Sequence, residues 1–274
     1  MGLLQRIEED YPQLPTQERA VALVVVRKPK DIQEMGITAL AHEAKVSIAT
    51  VTRFVHRMGC ADYQAFRMTL LRETLNQGAS QPISPDESVG TQVFRFYQRV
   101  MQDTYQKLDE EVVTQVVERI KKARRIYVYG LGSSGYTAEE FVQRLIRMGI
   151  AAFGMHDSHM MYINSQITTA KDIIIAISSS GSTDDVNTAC TLAKANATPV
   201  YAITAFKKSP LAQLADATIH VQSSTFIDNT RFINSQLAIM YVMDIISTRL
   251  LMEEKYREQF DQTVRMITNR KLSK

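Results

Sequence analysis

The sequence predicts two domains of different fold class: an all-α N-terminal domain, then an α/β domain on a five-stranded parallel, doubly wound sheet. Three observations predict this. Up to about residue 77 the apolar residues recur only at helical spacing. From about residue 125, short β-rich runs alternate with helical segments, the pattern of a parallel sheet covered on both faces. Between them QGASQPISPDES (77–88) is rich in Pro, Gly and Ser, which is linker composition. The expected boundaries are 1–77 for the helical domain, 78–88 for the linker and 89–274 for the α/β domain, and 274 residues suffice for two cores.

Within the first domain, Thr16-Gln-Glu-Arg19 opens a helix that buries Val21, Val24 and Val25 and stops near Pro29. Short helices follow at about 30–35 and 37–44, then a helix from Ser47 to Gly59, and a last one over 62–77. Residues 89–122 read as one long helix or two, with Val93, Val100, Leu108, Val112, Val116 and Ile120 on the apolar side. The strands are RIYVYG (125–130), AAFGM (151–155), DIIIAIS (172–178), PVYAIT (199–204) and TIHVQ (218–222); 231–270 is helical again.

Composition excludes several classes. No apolar run approaches the ~18 residues of a membrane span. The start, MGLLQRIEEDYPQL, has acids where a secretory leader has a basic start and an apolar centre, so a cytoplasmic protein with no membrane association is expected. Cys60 and Cys190 make no CxxC pair, and the five histidines show no HxxxH or HExxH spacing. His156 and His159 read as a polar helix start; no metal and no cofactor are expected. The formal charge is only +3, and residues 1–78 carry ten Lys/Arg against nine Asp/Glu. Affinity for DNA would rest on placed charges and on dimerisation.

The pair ITALAHEAKVS and IATVTRFVHRMG has helix-turn-helix proportions. Ala41 is small where two helices must approach, Val46 plugs the turn, and Ser47 is a good N-cap. Val51, Phe54, Val55 and Met58 face the core, which leaves Ala49, Thr50, Thr52, Arg53, His56 and Arg57 on the other side. Small residues at the start of such a helix permit entry into a major groove, hydroxyls reach phosphates or base edges, and Arg53 suits guanine or a phosphate. The candidate DNA-contact residues are Ser47, Ala49, Thr50, Thr52, Arg53 and Arg57.

Two loops of the second domain follow strands and open helices: Gly130-Leu-Gly132-Ser133-Ser134-Gly135, and Ser178-Ser179-Ser180-Gly181-Ser182-Thr183. Each offers backbone N–H groups, hydroxyls and a helix N-terminus to an anion, and neither holds Lys or Arg. With strand order 2-1-3-4-5 the loops flank the topological switch point and serve one site. GLGSSG also contains G-x-G-x-x-G, so a dinucleotide fold is an alternative; its acidic residue would be Asp157, slightly late, and it leaves SSSGST unexplained.

Residues 36–66 resemble the helix-turn-helix head of the RpiR family of bacterial regulators. The resemblance is carried by Leu40-Ala41, Val46-Ser47, Thr50-Val51-Thr52-Arg53-Phe54, Met58-Gly59 and Asp62-Tyr63 with Phe66. Met58 stands where the family has Leu, and Cys60 where an aromatic is usual. The serine loops resemble the sugar isomerase (SIS) domain, whose second loop follows S-x-S-G-x-T, here Ser178, Ser180, Gly181 and Thr183. Ser134, with Ser133 beside it, matches the serine of that domain's first loop. The likeness spans about 107–245 and includes NTRFINSQLAIMYVMDII, where Arg231 and Ser235 match recurrent positions; Asp185 replaces a common Glu.

The resemblance implies a DNA-binding regulator of sugar metabolism whose partners are double-stranded operator DNA and a phosphosugar effector. The effector's phosphate would be held by Ser133, Ser134, Ser178, Ser180, Gly181 and Thr183. SIS domains also occur in enzymes, so a cytoplasmic sugar-phosphate isomerase with a helical extension is the alternative. Its base would come from Glu139, Glu140, His156, His159 or His220, none of which stands out, and binding without turnover is expected. A homodimer or larger homo-oligomer is expected; apolar positions of 89–122 and 237–251 are candidate surfaces, with core packing the plainer reading of both.

Overall fold

The computed structural model describes residues 2–76, 88–226 and 234–272. The expected linker, apart from Ser88, and Arg231 lie outside the described residues. The chain groups into two units, Met1–Val100 with Ser223–Ile233 and Met101–Gln222 with Asn234–Lys274.

The first unit holds α1 (Leu3–Asp10), α2 (Thr16–Arg27), α3 (Pro29–Glu34), α4 (Ile37–Glu43), α5 (Ile48–Arg57) and α6 (Tyr63–Asn76). Helix α1 was not foreseen, because its segment carries acids and has no side-chain N-cap. It is held by burying Leu3 and Ile7 one turn apart. The Glu73 carboxylate of α6 also accepts the N–H groups of Leu3 and Leu4, the latter at 3.0 Å, satisfying donors a helix start leaves open. Pro29 opens α3, where a missing N–H costs nothing. The core is apolar, with Val21, Val25, Leu40, Val51, Phe54, Val55, Phe66 and Leu70 fully buried.

Helix α7 (Val89–Lys107) ends before α8 (Glu110–Lys122), which resolves the 89–122 stretch into two helices. Asp109 is the break: its carboxylate accepts from Glu111 N and Val112 N at 3.0 and 3.3 Å, an N-cap that starts α8 afresh.

The second unit is built on one parallel sheet of order β2-β1-β3-β4-β5. Its elements run β1 (Ile126–Tyr129), α9 (Ser133–Arg147), β2 (Ala152–Met155), α10 (Ser158–Ile167), β3 (Ile173–Ile177), α11 (Asp184–Ala195), β4 (Val200–Thr204), α12 (Pro210–Leu214), β5 (Ala217–His220), α13 (Leu237–Leu251) and α14 (Glu254–Leu272). All five strands were expected, and the order is the one in which β1 and β3 flank the switch point. Strands β1, β3 and β4 are buried along their whole length, while edge strands β2 and β5 are partly open. Near β2, the Glu139 carboxylate of α9 lies against Gly154 and bonds His156 Nδ1 at 3.1 Å.

At the opposite end of the sheet the buried Asp172 receives both Nε and Nη2 of Arg124, at 2.9 and 2.7 Å, plus the N–H and hydroxyl of Thr169. Burial alone would raise this carboxyl; the Arg124 and Thr169 bonds outweigh it and hold it below the usual carboxylate range. Helix α13 buries Ile239, Val242, Met243, Ile246 and Leu250, each contributing about 1.5–3 kcal/mol. Of the two readings that the sequence allows for 237–251, dimer surface or core, these side chains take the core. Helix α7, by contrast, leaves Phe94, Met101 and Tyr105 exposed.

Candidate functional site

Strands β1 and β3 are hydrogen-bonded neighbours, in register from Ile126 with Ile173 to Tyr129 with Ala176. Chains leaving their C-terminal ends start side by side, about 4.8 Å apart. From β1 the chain turns through Gly130, Leu131 and Gly132 into α9 and goes to β2; from β3 it goes through 178–183 into α11 and on to β4. The two loops therefore diverge from one point with a helix N-terminus behind each.

In the first loop, Ser133 is exposed and its hydroxyl has no partner among the described residues. Ser134 is buried and donates to Gln236 Oε1 at 3.3 Å; Thr137, one turn on, lies 3.4 Å from the same oxygen and donates to Ser133 O at 3.0 Å. Gln236 is itself the buried N-cap residue of α13, so a third element reaches the loop. Ser235 is exposed and takes the Gln236 amide at 3.2 Å.

The second loop is self-bonded. Ser178 Oγ lies 3.0 Å from Thr183 Oγ1 and accepts the Gly181 N–H at 3.1 Å. Ser180 Oγ accepts from Ser182 N at 3.2 Å. One hydrogen bridges Ser178 and Thr183, which leaves the other of that pair, and the Ser180 hydroxyl hydrogen, available to an acceptor. Gly181 has φ +62 and a Cβ there would run into Ser209 Oγ, so glycine is required twice over. The hydroxyl of Ser179 is buried without a partner among the described residues.

Charge comes from neighbouring segments. Ala205 N donates to Ser179 O at 3.1 Å and Leu211 N to Gly181 O at 3.0 Å, so the segment after β4, which carries Lys207 and Lys208, is bonded to the second loop. Asp184 and Asp185 stand in the first turn of α11, and Asp185 accepts from the Tyr162 hydroxyl. At the end of β5 the His220 imidazole is pushed down to about 4, first by burial and then by Lys207 and Lys107. Of the other candidate bases, Glu140 pairs with Arg144 at 2.7 Å, while Glu139, His156 and His159 are exposed.

In the first unit, α4 and α5 are joined by a tight turn in which Lys45 adopts φ +55 and Val46 N returns to Ala41 O at 2.9 Å. Val46 is half-buried against the core, and Val51, Phe54, Val55 and Met58 are all buried. Ser47 caps α5, accepting from Thr50 N at 3.2 Å. Ala49, Arg53, His56 and Arg57 are exposed, Thr52 half-buried. Thr50 corrects the sequence reading: its side chain is 1% exposed and faces inward, donating to Gln17 at 3.2 Å. Arg57 is drawn back to the buried Glu18 of α2, with Nε at 2.7 Å from the carboxylate, which neutralises that charge.

A helix-turn-helix domain of the rpiR family is matched over residues 1–77, and the SIS domain over residues 119–249. The chain is a helix-turn-helix regulator of the RpiR family. An uncharacterized HTH-type transcriptional regulator of Clostridium perfringens is 28% identical over 272 residues, 97% of each chain. The HTH-type transcriptional regulator HexR of Pseudomonas aeruginosa is 27% identical over 253 residues, 90% of this chain and 88% of its own. Among solved structures, the Vibrio vulnificus NanR protein complexed with ManNAc-6P aligns over 98% of each chain with a TM-score of 0.61 and 26% identity. The sugar isomerase domain of an RpiR transcription factor from Sphaerobacter thermophilus shares the fold, at TM-score 0.60 and 20% identity over 67% of this chain and 99% of its own.

In this RpiR-family chain the structure adds two features that sequence reasoning missed. Gln236 lies about a hundred residues from the serine it bonds, and no local spacing signals such a contact. The Lys207–Lys208 segment is brought to the second loop only by the adjacency of β3 and β4. No helix among the described residues is long and apolar enough to cross a membrane.

Proposed function

We propose that this RpiR-family regulator binds operator DNA through its head, residues 1–77, and senses a phosphosugar through its SIS domain, residues 89–274, with 78–88 as connector. The observation that carries the reading is the pair of small-residue loops on adjacent strands, each opening a helix, behind a helix-turn-helix. The effector's phosphate sits between the loops, taking hydroxyls of Ser133, Ser134, Ser178, Ser180 and Thr183 and the close backbone at Gly181. The ManNAc-6P held by the NanR relative supports this ligand class. Arg53 and Ala49, exposed on α5, contact DNA together with the Ser47 end of the helix. A single α5 reads few base pairs, so the protein works in the cytoplasm as a homodimer at least, and the exposed stripe of α7 is a candidate surface.

Binding proceeds without turnover. An isomerase would need its base over the sugar, and the Glu139–His156 pair beside the first loop is open to solvent and ion-paired when His156 is protonated. The test is a gel shift against the gene's own upstream DNA with a panel of sugar phosphates, alongside a thermal-shift screen of the same panel. One sugar phosphate is expected to raise the melting temperature and to change DNA binding. The doubly substituted Ser180→Ala, Thr183→Ala protein should lose both responses and still bind DNA. Interconversion of a sugar phosphate without DNA binding overturns the reading.

A further inference from the structure

The start of α5 holds three hydroxyls, and the hydrogen of each is committed to the protein. Thr50 Oγ1 donates to Gln17 Oε1 at 3.2 Å and accepts from Arg53 Nη2 at 3.2 Å. Ser47 Oγ lies 2.9 Å from Thr50 Oγ1. Because the single hydrogen of Thr50 goes to Gln17, Ser47 is the donor in that pair. Thr52 donates back along the helix to Ile48 O at 3.1 Å. No hydroxyl hydrogen in the first two turns is left for a base edge.

What the helix does present there is apolar. Ile48, its first residue, is 46% exposed, and Ala49 beside it is exposed. Thr52, one turn on, has its hydroxyl tied to the backbone. The cation Arg53 stands behind this group. An exposed Ile at this position adds nothing to the core formed by Val51, Phe54 and Val55. In a major groove the apolar feature of a base-pair edge is the C5-methyl of thymine, and no base offers another.

We infer that Ile48, with Ala49, reads a thymine C5-methyl group, so that each half-site is specified at the start of α5 by methyl contact rather than by hydroxyl hydrogen bonds. The inference rests on the DNA-binding reading of the head. A duplex is first selected with the full-length protein from a random library. Each thymine of the selected half-site is then replaced by deoxyuridine, which keeps the pairing edge and removes only the methyl. At one or two positions the replacement should weaken wild-type binding about three- to five-fold, the effect of one buried methyl. Ile48→Ala should bind the thymine duplex more weakly and be indifferent to deoxyuridine at one of those positions, while Ile48→Val keeps the sensitivity. Thermal unfolding of each variant confirms that the head is folded. If wild type binds the selected duplex and no deoxyuridine matters, or if Ile48→Ala keeps every deoxyuridine effect, the inference is overturned and DNA reading stands. If no duplex is enriched at all, the DNA-binding reading itself fails.

Discussion

The start of α5 and the serine loops of the sheet domain are both crowded with hydroxyl side chains, and they use them in opposite ways. On α5, Ser47 and Thr50 give their hydrogens along a chain that runs to Gln17, and Thr52 gives its own to Ile48 O. In the loops, among the described residues, Ser133 has no partner, Ser180 only accepts, and the Ser178–Thr183 pair keeps one hydrogen in reserve. Ser134 is bonded, but at 3.3 Å and to a neutral amide, which a phosphate oxygen outcompetes. A hydroxyl's role is set by the strength of its best internal partner and not by the residue type.

The largest effect that would break this contrast is at Gly181. Gly181→Ala places a side chain at positive φ and against Ser209, costing about 2–4 kcal/mol. The melting temperature of the sheet domain should fall by about 5 °C or more, with loss of the sugar-phosphate response. An unchanged melt would mean that the loop is not held as described.

Next comes a paired test on α5. Arg53→Ala should lower DNA affinity about ten-fold or more, whereas Thr50→Val, which removes a hydroxyl already committed inside, should change it less than three-fold. Thr50→Val should instead lower stability by about 1 kcal/mol, read by chemical denaturation. Equal losses of DNA affinity in the two variants would restore Thr50 as a contact residue.

The smallest effect concerns pH. His220 is pushed below the ordinary imidazole range, to about 4, so the unfolded chain binds the proton more readily. Its contribution is therefore fully present above about pH 6.5 and is lost as pH falls toward about 4. His220→Gln should flatten the decline in stability between pH 7 and 5 by about 1 kcal/mol. A wild-type slope in that variant would show that another group titrates there.

Much of this was legible in the sequence. Strands β1 and β3 announced themselves as β-rich runs ended by glycine or serine, and Ser47 as a cap, because these signals are local. The order β2-β1-β3-β4-β5 entered the sequence reading as the condition under which the two Gly/Ser loops serve one site, and it is the order observed. Thr50 was misread because helical spacing places it at the margin of the buried face, and only Gln17, 33 residues earlier, draws it inward. Helix α1 escaped notice because Glu73, its cap, belongs to the far end of the domain. Gln236 and the Lys207–Lys208 segment were invisible for the same reason: their contacts exist only after the sheet has formed.

The placement of Glu139 over Gly154 has a consequence for how this protein avoids sticking to itself. Both edges of the sheet are strands of only four residues, and on β2 a carboxylate lies against the strand where a side chain would otherwise stand. The carboxylate, paired with His156, covers one face of β2, so a strand from a second molecule pairing at that edge would lie beside a charged group. Replacing Gly154 with valine would displace the carboxylate and turn 151–155 into an unbroken β-forming run. Gly154→Val is therefore expected to make the protein associate more readily than the wild type, read by light scattering.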